Sequence, residues 1–398
     1  MERFAARRLG RIPPYLFAEL DRLKAETGGD VIDLGEGSPD LPTPKPIINA
    51  LVRAAARSEN HGYPTYAGKL SCREAVAGWY ARRFRVKLDP GSEVTMLIGS
   101  KEGVGHLIWG TCGPGDTLGY TDPAYPIYPN QARLSGARPI AIPLREGNGF
   151  LPDLDVVDDL GPRLKLLCLN YPSNPTAAVA PLSFFREVVA LARKHGFGVV
   201  NDCVYSELSF GSKPPPSILQ IPGAKDCCIE FHSLSKTWSM AGWRIGMAVG
   251  NRELVRSLLR IKQNTDSGPF GAIQDAAAWA LEHGERFAAR HREVYRRRRD
   301  VFCRALRRAG WQVPVPEATF YVWTRPPGKR RDDYAFALEL LRECRVVCAP
   351  GVGFGRFGRG FVRFALVQPE PRLREAAARI GTWLNRTPTT KTRRSRDD

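Results

Sequence analysis

LKLLCLN (Leu164–Asn170), SFFREVVALARKH (Ser183–His195) and FGVVNDC (Phe197–Cys203) follow one another along the chain. Two short apolar runs enclose a segment whose apolar positions recur at helical spacing, which reads as strand, helix, strand. CCIEF (Cys227–Phe231) and IGMAV (Ile245–Val249) extend the series. Such alternation builds a parallel sheet with helices on its faces, an α/β architecture. Ligands of such sheets lie beyond the carboxyl ends of the strands. From about residue 275 the chain turns helical and Arg-rich, then gives a strand-like TFYVWT (Thr319–Thr324), a helix near 332–344 and another strand near Phe361–Leu366. These predict a smaller α+β domain. The expected division is an N-terminal segment 1–45 belonging to the small domain, a large domain 46–270, a C-terminal small domain 271–386, and a polar, disordered tail 387–398.

The chain has 398 residues, enough for about two compact units. Hydrophobic residues at 43% and charged residues at 25% are ordinary for a globular protein. The net charge of +18 invites a nucleic-acid reading. Its distribution argues against one, because the basic runs Arg296–Arg299 and Lys391–Arg396 carry no interleaved aromatics for base stacking. A solvated helix face accounts for Arg296–Arg299, and the positive balance suits anionic substrates. Nine cysteines without CxxC pairs signal neither a disulfide framework nor a zinc ribbon, so no metal is expected and a reducing cytosol fits. The start carries positive charge without a following apolar stretch, and no run approaches the roughly 18 residues of a membrane span. A cytoplasmic protein with no membrane partner is expected.

The strongest chemical signal is SLSKTWSMAGWRIG (Ser233–Gly246), directly after the CCIEF strand. Ser233 and Ser235 stand just before Lys236, and Arg244 follows eight residues after it, a set able to bind one phosphate while an amine makes an imine. A polar loop with a surface lysine is the bland alternative. NYPSNPT (Asn170–Thr176) ends a buried strand in a turn that can present Asn174. NDCVY (Asn201–Tyr205) puts Asp202 and Tyr205 at the end of the next strand, where a carboxylate faces the crevice, although such a carboxylate is often only a helix cap. GSKEG (Gly99–Gly103) leads small residues into a helix N-terminus, which offers N–H groups to an anion; it lacks the Walker pattern, which disfavours ATP. DPAYPIY (Asp122–Tyr128) offers aromatic faces that core packing explains equally well.

Taken together these ordered motifs resemble the fold-type I, pyridoxal 5′-phosphate (PLP) dependent aminotransferases of class I/II, over nearly the whole chain from about Ile12 to about Trp383. The resemblance implies a large domain with a mostly parallel mixed sheet sandwiched by helices, a smaller α+β domain, and transamination between amino acids and 2-oxo acids. It implies that Lys236 carries the cofactor as a Schiff base and shuttles a proton, and that Asp202 pairs with the pyridine nitrogen. Asn174 and Tyr205 would bond the ring oxygen O3′ and Tyr125 would stack on the ring. Ser100, Lys101, Ser233, Ser235 and Arg244 would form the phosphate cup. Tyr63, in HGYPTYAG, matches a tyrosine that reaches the neighbouring subunit's phosphate, so a homodimer with shared active sites is implied. Arg363, in FVRFAL, matches the arginine that forks onto the substrate α-carboxylate, and Gly37, in LGEGSPDLPTP, the glycine that lets substrate approach the backbone.

Within the class, PPYLFAELDRLKAE, NGFLPDL, PSNPTAAVA, PGAKDCCIEFHSLSKTW and NTDSGPFGAIQ resemble LL-diaminopimelate aminotransferases, the lysine-biosynthesis branch, more than aspartate or aromatic enzymes. In that branch the early tyrosine, here Tyr15, approaches the substrate, and the loop matching Asp266–Phe270 comes from the partner subunit. Cys203, Val204, Trp238 and Ser38 depart from the usual residues, touching specificity rather than cofactor chemistry. HGY, GSKEG, SNPTA and MAGWRIG are shared with alanine/glutamate-type enzymes, which stand second. A basic nucleic-acid-binding regulator with an aminotransferase-like domain is the remote alternative.

Overall fold

The computed structural model describes residues 4–14, 16–328 and 330–386, organised as two compact units. The larger takes described residues 4–14 together with 38–294 and 317–319; the smaller takes 16–37, 295–316 and 320–386, less residue 329. The division differs from the expected one. Residues 271–294 and the described part of 1–14 go with the larger unit, where helix Gly271–His283 buries Ala276, Ala277, Ala280 and Leu281 in that unit's core. The compositional shift near 275 marked a change of surface, not of core. The expected disordered tail 387–398 lies outside the described residues.

Strand β1 (Ile32–Asp33) belongs to the smaller unit. The larger unit carries β2 (Val94–Leu97), β3 (Thr117–Asp122), β4 (Arg138–Pro143), β5 (Leu164–Leu169), β6 (Gly198–Asp202), β7 (Cys228–Ser233) and β8 (Gly246–Gly250). They form one sheet in the order β2-β8-β7-β6-β5-β3-β4. Only β8 runs against its neighbours, so six strands point the same way. Side chains alternate between the faces, as a period of two requires. Leu167, Leu169 and Val199 enter one core cluster, while Leu166, Cys168 and Val200 enter the other. Both faces are therefore dry, and β7 and β8 are buried at every position. Helix Leu182–His195 is the crossover between β5 and β6, turning its Phe184, Phe185, Val188, Val189 and Ala192 onto the sheet. Gly196, in the left-handed region at φ 76°, stops it.

The smaller unit contains β9 (Tyr321–Thr324), β10 (Val346–Val347), β11 (Ala349–Pro350) and β12 (Val362–Ala365). β12 lies between β11 and β9, antiparallel to both, and β1 pairs with β10. Phe302, Trp311, Phe336 and Phe364 form its aromatic core. Among the described residues no helix is long and apolar enough to cross a membrane.

Candidate active site

The parallel strands of the larger unit deliver their carboxyl ends to one rim, and the motifs sit there in strand order. β2 runs into Gly99–Lys101, β3 into Asp122–Tyr125, β5 into Asn170–Asn174, β6 ends at Asp202 and β7 at Ser233. β8 is antiparallel and pairs Gly246 with Ser233, so Arg244 arrives at the same rim from the other direction.

Close backbone approach gathers hydrogen-bond donors on this rim. Ser100 opens helix Ser100–Thr111, whose first N–H groups face outward from its end. A Cβ on Gly99 (φ 80°) would fall 2.3 Å from Nη2 of Arg244, so the guanidinium lies directly against that turn. A Cβ on Gly246 would fall 2.9 Å from the Ser100 nitrogen. Arg244 adopts the left-handed region at φ 55° and donates from Nη1 to the Ala241 carbonyl at 2.8 Å. Ser233 caps the short helix Leu234–Thr237, its Oγ accepting from the Ser235 N–H at 3.1 Å. Lys236 stands on that single turn, half-buried, with Ser233 and Ser235 buried beside it. Lys101 places Nζ 5.7 Å from the centroid of the Tyr125 ring.

Asp202 supplies the complementary feature. Its carboxylate is buried; Tyr128 donates to Oδ2 at 2.8 Å, and Oδ1 has no hydrogen-bond partner among the described residues. Burial pushes the carboxyl pKa up to about 6, against the opposing hydrogen bond from Tyr128. Asn170 ties the neighbouring strand ends together. Its Oδ1 accepts from the Asn174 N–H at 2.7 Å, and its Nδ2 donates to the Asp202 carbonyl. Tyr205 is buried in the turn after Asp202.

The rim thus collects Ser100, Lys101, Tyr125, Asn174, Asp202, Tyr205, Ser233, Ser235, Lys236 and Arg244 on adjacent strand ends of one unit. Tyr63 stands apart, 94% exposed. Gly37 and Arg363 belong to the smaller unit and are close to common neighbours there. Arg363 is buried on β12 and donates from Nη2 to the Gly35 carbonyl at 2.6 Å. A Cβ on Gly37 would fall 2.1 Å from the Tyr321 hydroxyl. Tyr15 lies outside the described residues.

Sequence reasoning missed Tyr128 and Asn170. Both were inside quoted motifs, yet Tyr128 read as packing, and nothing local marks Asn170 as a bridge between strands. The unusual Cys203 is buried, with its thiol donating to the Phe231 carbonyl at 3.3 Å and lying 3.0 Å from His232 Nε2. Trp238 points elsewhere, donating from Nε1 to the Gly284 carbonyl at 2.9 Å.

A seven-stranded, mostly parallel sheet with a lysine, an arginine, two serines and a buried carboxylate on one rim is the architecture of the fold-type I transferases. The chain belongs to the aminotransferase class I and II family, which it matches over residues 29–380, and it is an aminotransferase. It is 50% identical to the LL-diaminopimelate aminotransferase of Aquifex aeolicus over 94% of this chain and 97% of that one. With the LL-diaminopimelate aminotransferase of Oleidesulfovibrio alaskensis it shares 48% identity, over 95% and 98%. Among solved structures, substrate-bound BacF from Bacillus subtilis superposes with a TM-score of 0.92 at 33% identity, covering 96% of this chain and 98% of that chain.

Proposed function

We propose that the protein is a PLP-dependent LL-diaminopimelate:2-oxoglutarate aminotransferase acting in the cytosol as a homodimer. The observation that carries the cofactor assignment is Oδ1 of Asp202, a buried carboxylate oxygen at a strand end without a partner among the described residues. A protonated ring nitrogen is the group that such an atom fits, since it restores the missing hydrogen bond and offsets the burial of charge. When bound, PLP supplies an aldehyde that takes up an amino group and a cationic ring that accepts the electron pair left at the substrate Cα.

The protein's own residues do the rest. Asp202 holds the proton on the ring nitrogen, with Tyr128 keeping its carboxylate turned and ionised. Arg244, Ser233, Ser235, Lys101 and the Ser100 N–H hold the phosphate by charge and backbone dipole. Asn174 and Tyr205 bond the ring oxygen and Tyr125 covers the ring face. Lys236 Nζ moves the proton at Cα, its turn fixed by the Ser233 cap. Arg363 takes the substrate α-carboxylate, and Gly37, without a side chain, makes room for the Tyr321 hydroxyl. Tyr63, exposed on the larger unit, is the residue that would reach the cofactor phosphate of a second copy.

The substrate assignment rests on the relatives at 48–50% identity. Purified protein mixed with LL-diaminopimelate and 2-oxoglutarate, with alanine and aspartate as competing donors, tests it. Glutamate formation from diaminopimelate is the expected result. Activity with alanine and none with diaminopimelate transfers the assignment to the alanine/glutamate type. A Lys236→Ala protein that keeps full turnover overturns the whole mechanism.

A further inference from the structure

We propose that Tyr321 and Phe354 are positioning residues for Arg363, an aromatic cradle that sets the guanidinium for a substrate α-carboxylate. The proposal rests on Arg363 being the carboxylate-binding residue of the transamination above.

Arg363 is on the central strand of a three-stranded antiparallel sheet, paired with Trp323 on one side and Ala349 on the other. Directly opposed residues of antiparallel strands point to the same face, and so does the residue two further along. Tyr321 is that diagonal neighbour, and its ring centroid lies 4.2 Å from Cζ of Arg363. Phe354, closing the turn Gly351–Phe354 after β11, brings a second centroid to 4.8 Å. The guanidinium is 2% exposed and one nitrogen is bound by the Gly35 carbonyl. Flat guanidinium against flat ring is a favoured contact, and it strengthens when water is excluded.

The far end of Tyr321 is fixed as well. Its hydroxyl occupies the place a Cβ at Gly37 would need, so the ring is wedged between the 35–37 backbone and the cation it carries. An arginine has a long, rotamer-rich side chain, and a two-point fork works only when its plane is set in advance. A cradle that removes those rotamers before substrate arrives acts on affinity rather than on the chemical step.

The test uses the PLP-loaded protein and follows the cofactor absorbance through the half-reaction with L-glutamate and with its α-carboxamide. Tyr321→Leu and Phe354→Leu are each expected to raise half-saturation for glutamate about tenfold with the limiting rate within about threefold. Half-saturation for the α-carboxamide should stay put. Tyr321→Phe, which keeps the ring, should recover most of the loss. Equal losses for glutamate and its amide, or a Tyr321→Phe protein as weak as Tyr321→Leu, overturn the cradle. Arg363→Lys is run alongside: if it fails to separate glutamate from the amide, Arg363 is not the carboxylate residue and the cradle falls with it, for a distinguishable reason.

Discussion

The Tyr128 hydroxyl donates to Oδ2 of Asp202 at 2.8 Å, leaving Oδ1 of the same carboxylate buried and without a partner among the described residues. One oxygen is anchored and the other is presented. Tyr128→Phe removes the anchor and the hydrogen bond that opposes the upward pull of burial on the carboxyl pKa. PLP affinity should fall by about tenfold, the worth of one hydrogen bond to a charged group. Equilibrium titration with PLP checks it, and an unchanged dissociation constant contradicts the anchoring role.

The same carboxylate makes the cofactor-free protein sensitive to pH in a defined direction. Folded Asp202 titrates at about 6, above its unfolded value of about 3.9. Between those values the folded chain holds a proton that the unfolded chain has lost, so stability falls as pH rises from about 4 to about 6. Asp202→Asn lacks this term. The unfolding free energy of Asp202→Asn minus wild type should therefore grow by about 2 kcal/mol between pH 4 and pH 7, read by urea denaturation of the apo proteins. A difference that stays flat with pH refutes the buried carboxylate.

Gly99→Ala places a methyl group on a residue at φ 80° and within 2.3 Å of the Arg244 guanidinium. The left-handed backbone resists the change by about 1 kcal/mol and the guanidinium must move out of the cup. PLP binding should weaken by about tenfold or more, and free inorganic phosphate should lose its protective effect on thermal unfolding. Wild-type phosphate protection in this variant would remove Arg244 from the cup.

Glu230, on β7, is fully buried and accepts from Ser217 Oγ, Asn201 Nδ2, the Ile218 N–H and the Tyr80 hydroxyl. Glu230→Ala strands four donors in the core at once. A loss of about 3–5 kcal/mol in unfolding free energy is expected by chemical denaturation. A loss below about 1 kcal/mol means that the network carries no stability.

The parallel sheet was legible because β5, β6 and their crossover helix each show their own period, and a strand buried on both faces reads as an apolar run. Lys236 and Asp202 were legible because polar residues that end such runs have one rim to occupy. Tyr128 and Asn170 were not. Their partners lie 74 and 32 residues away in the chain, and aromatic or amide residues beside an apolar run give the same pattern whether they pack or bridge. Helix Gly271–His283 was put in the wrong unit for a related reason: alanines at helical spacing announce a buried face without saying which core receives it.

The reversed direction of β8 gives the stretch Ser233–Gly246 an unusual constraint. It leaves the rim at one strand end and returns to it at the adjacent strand's beginning, carrying Ser233, Ser235, Lys236 and Arg244 on a single short excursion. Extra residues spliced into it would slide Arg244 away from Gly99 while the sheet stayed zipped. The opposite edge, where Gly196 and Gly223 turn the chain between elements, has no such bookmark to keep, and lengthening there should leave the cup's spacing intact.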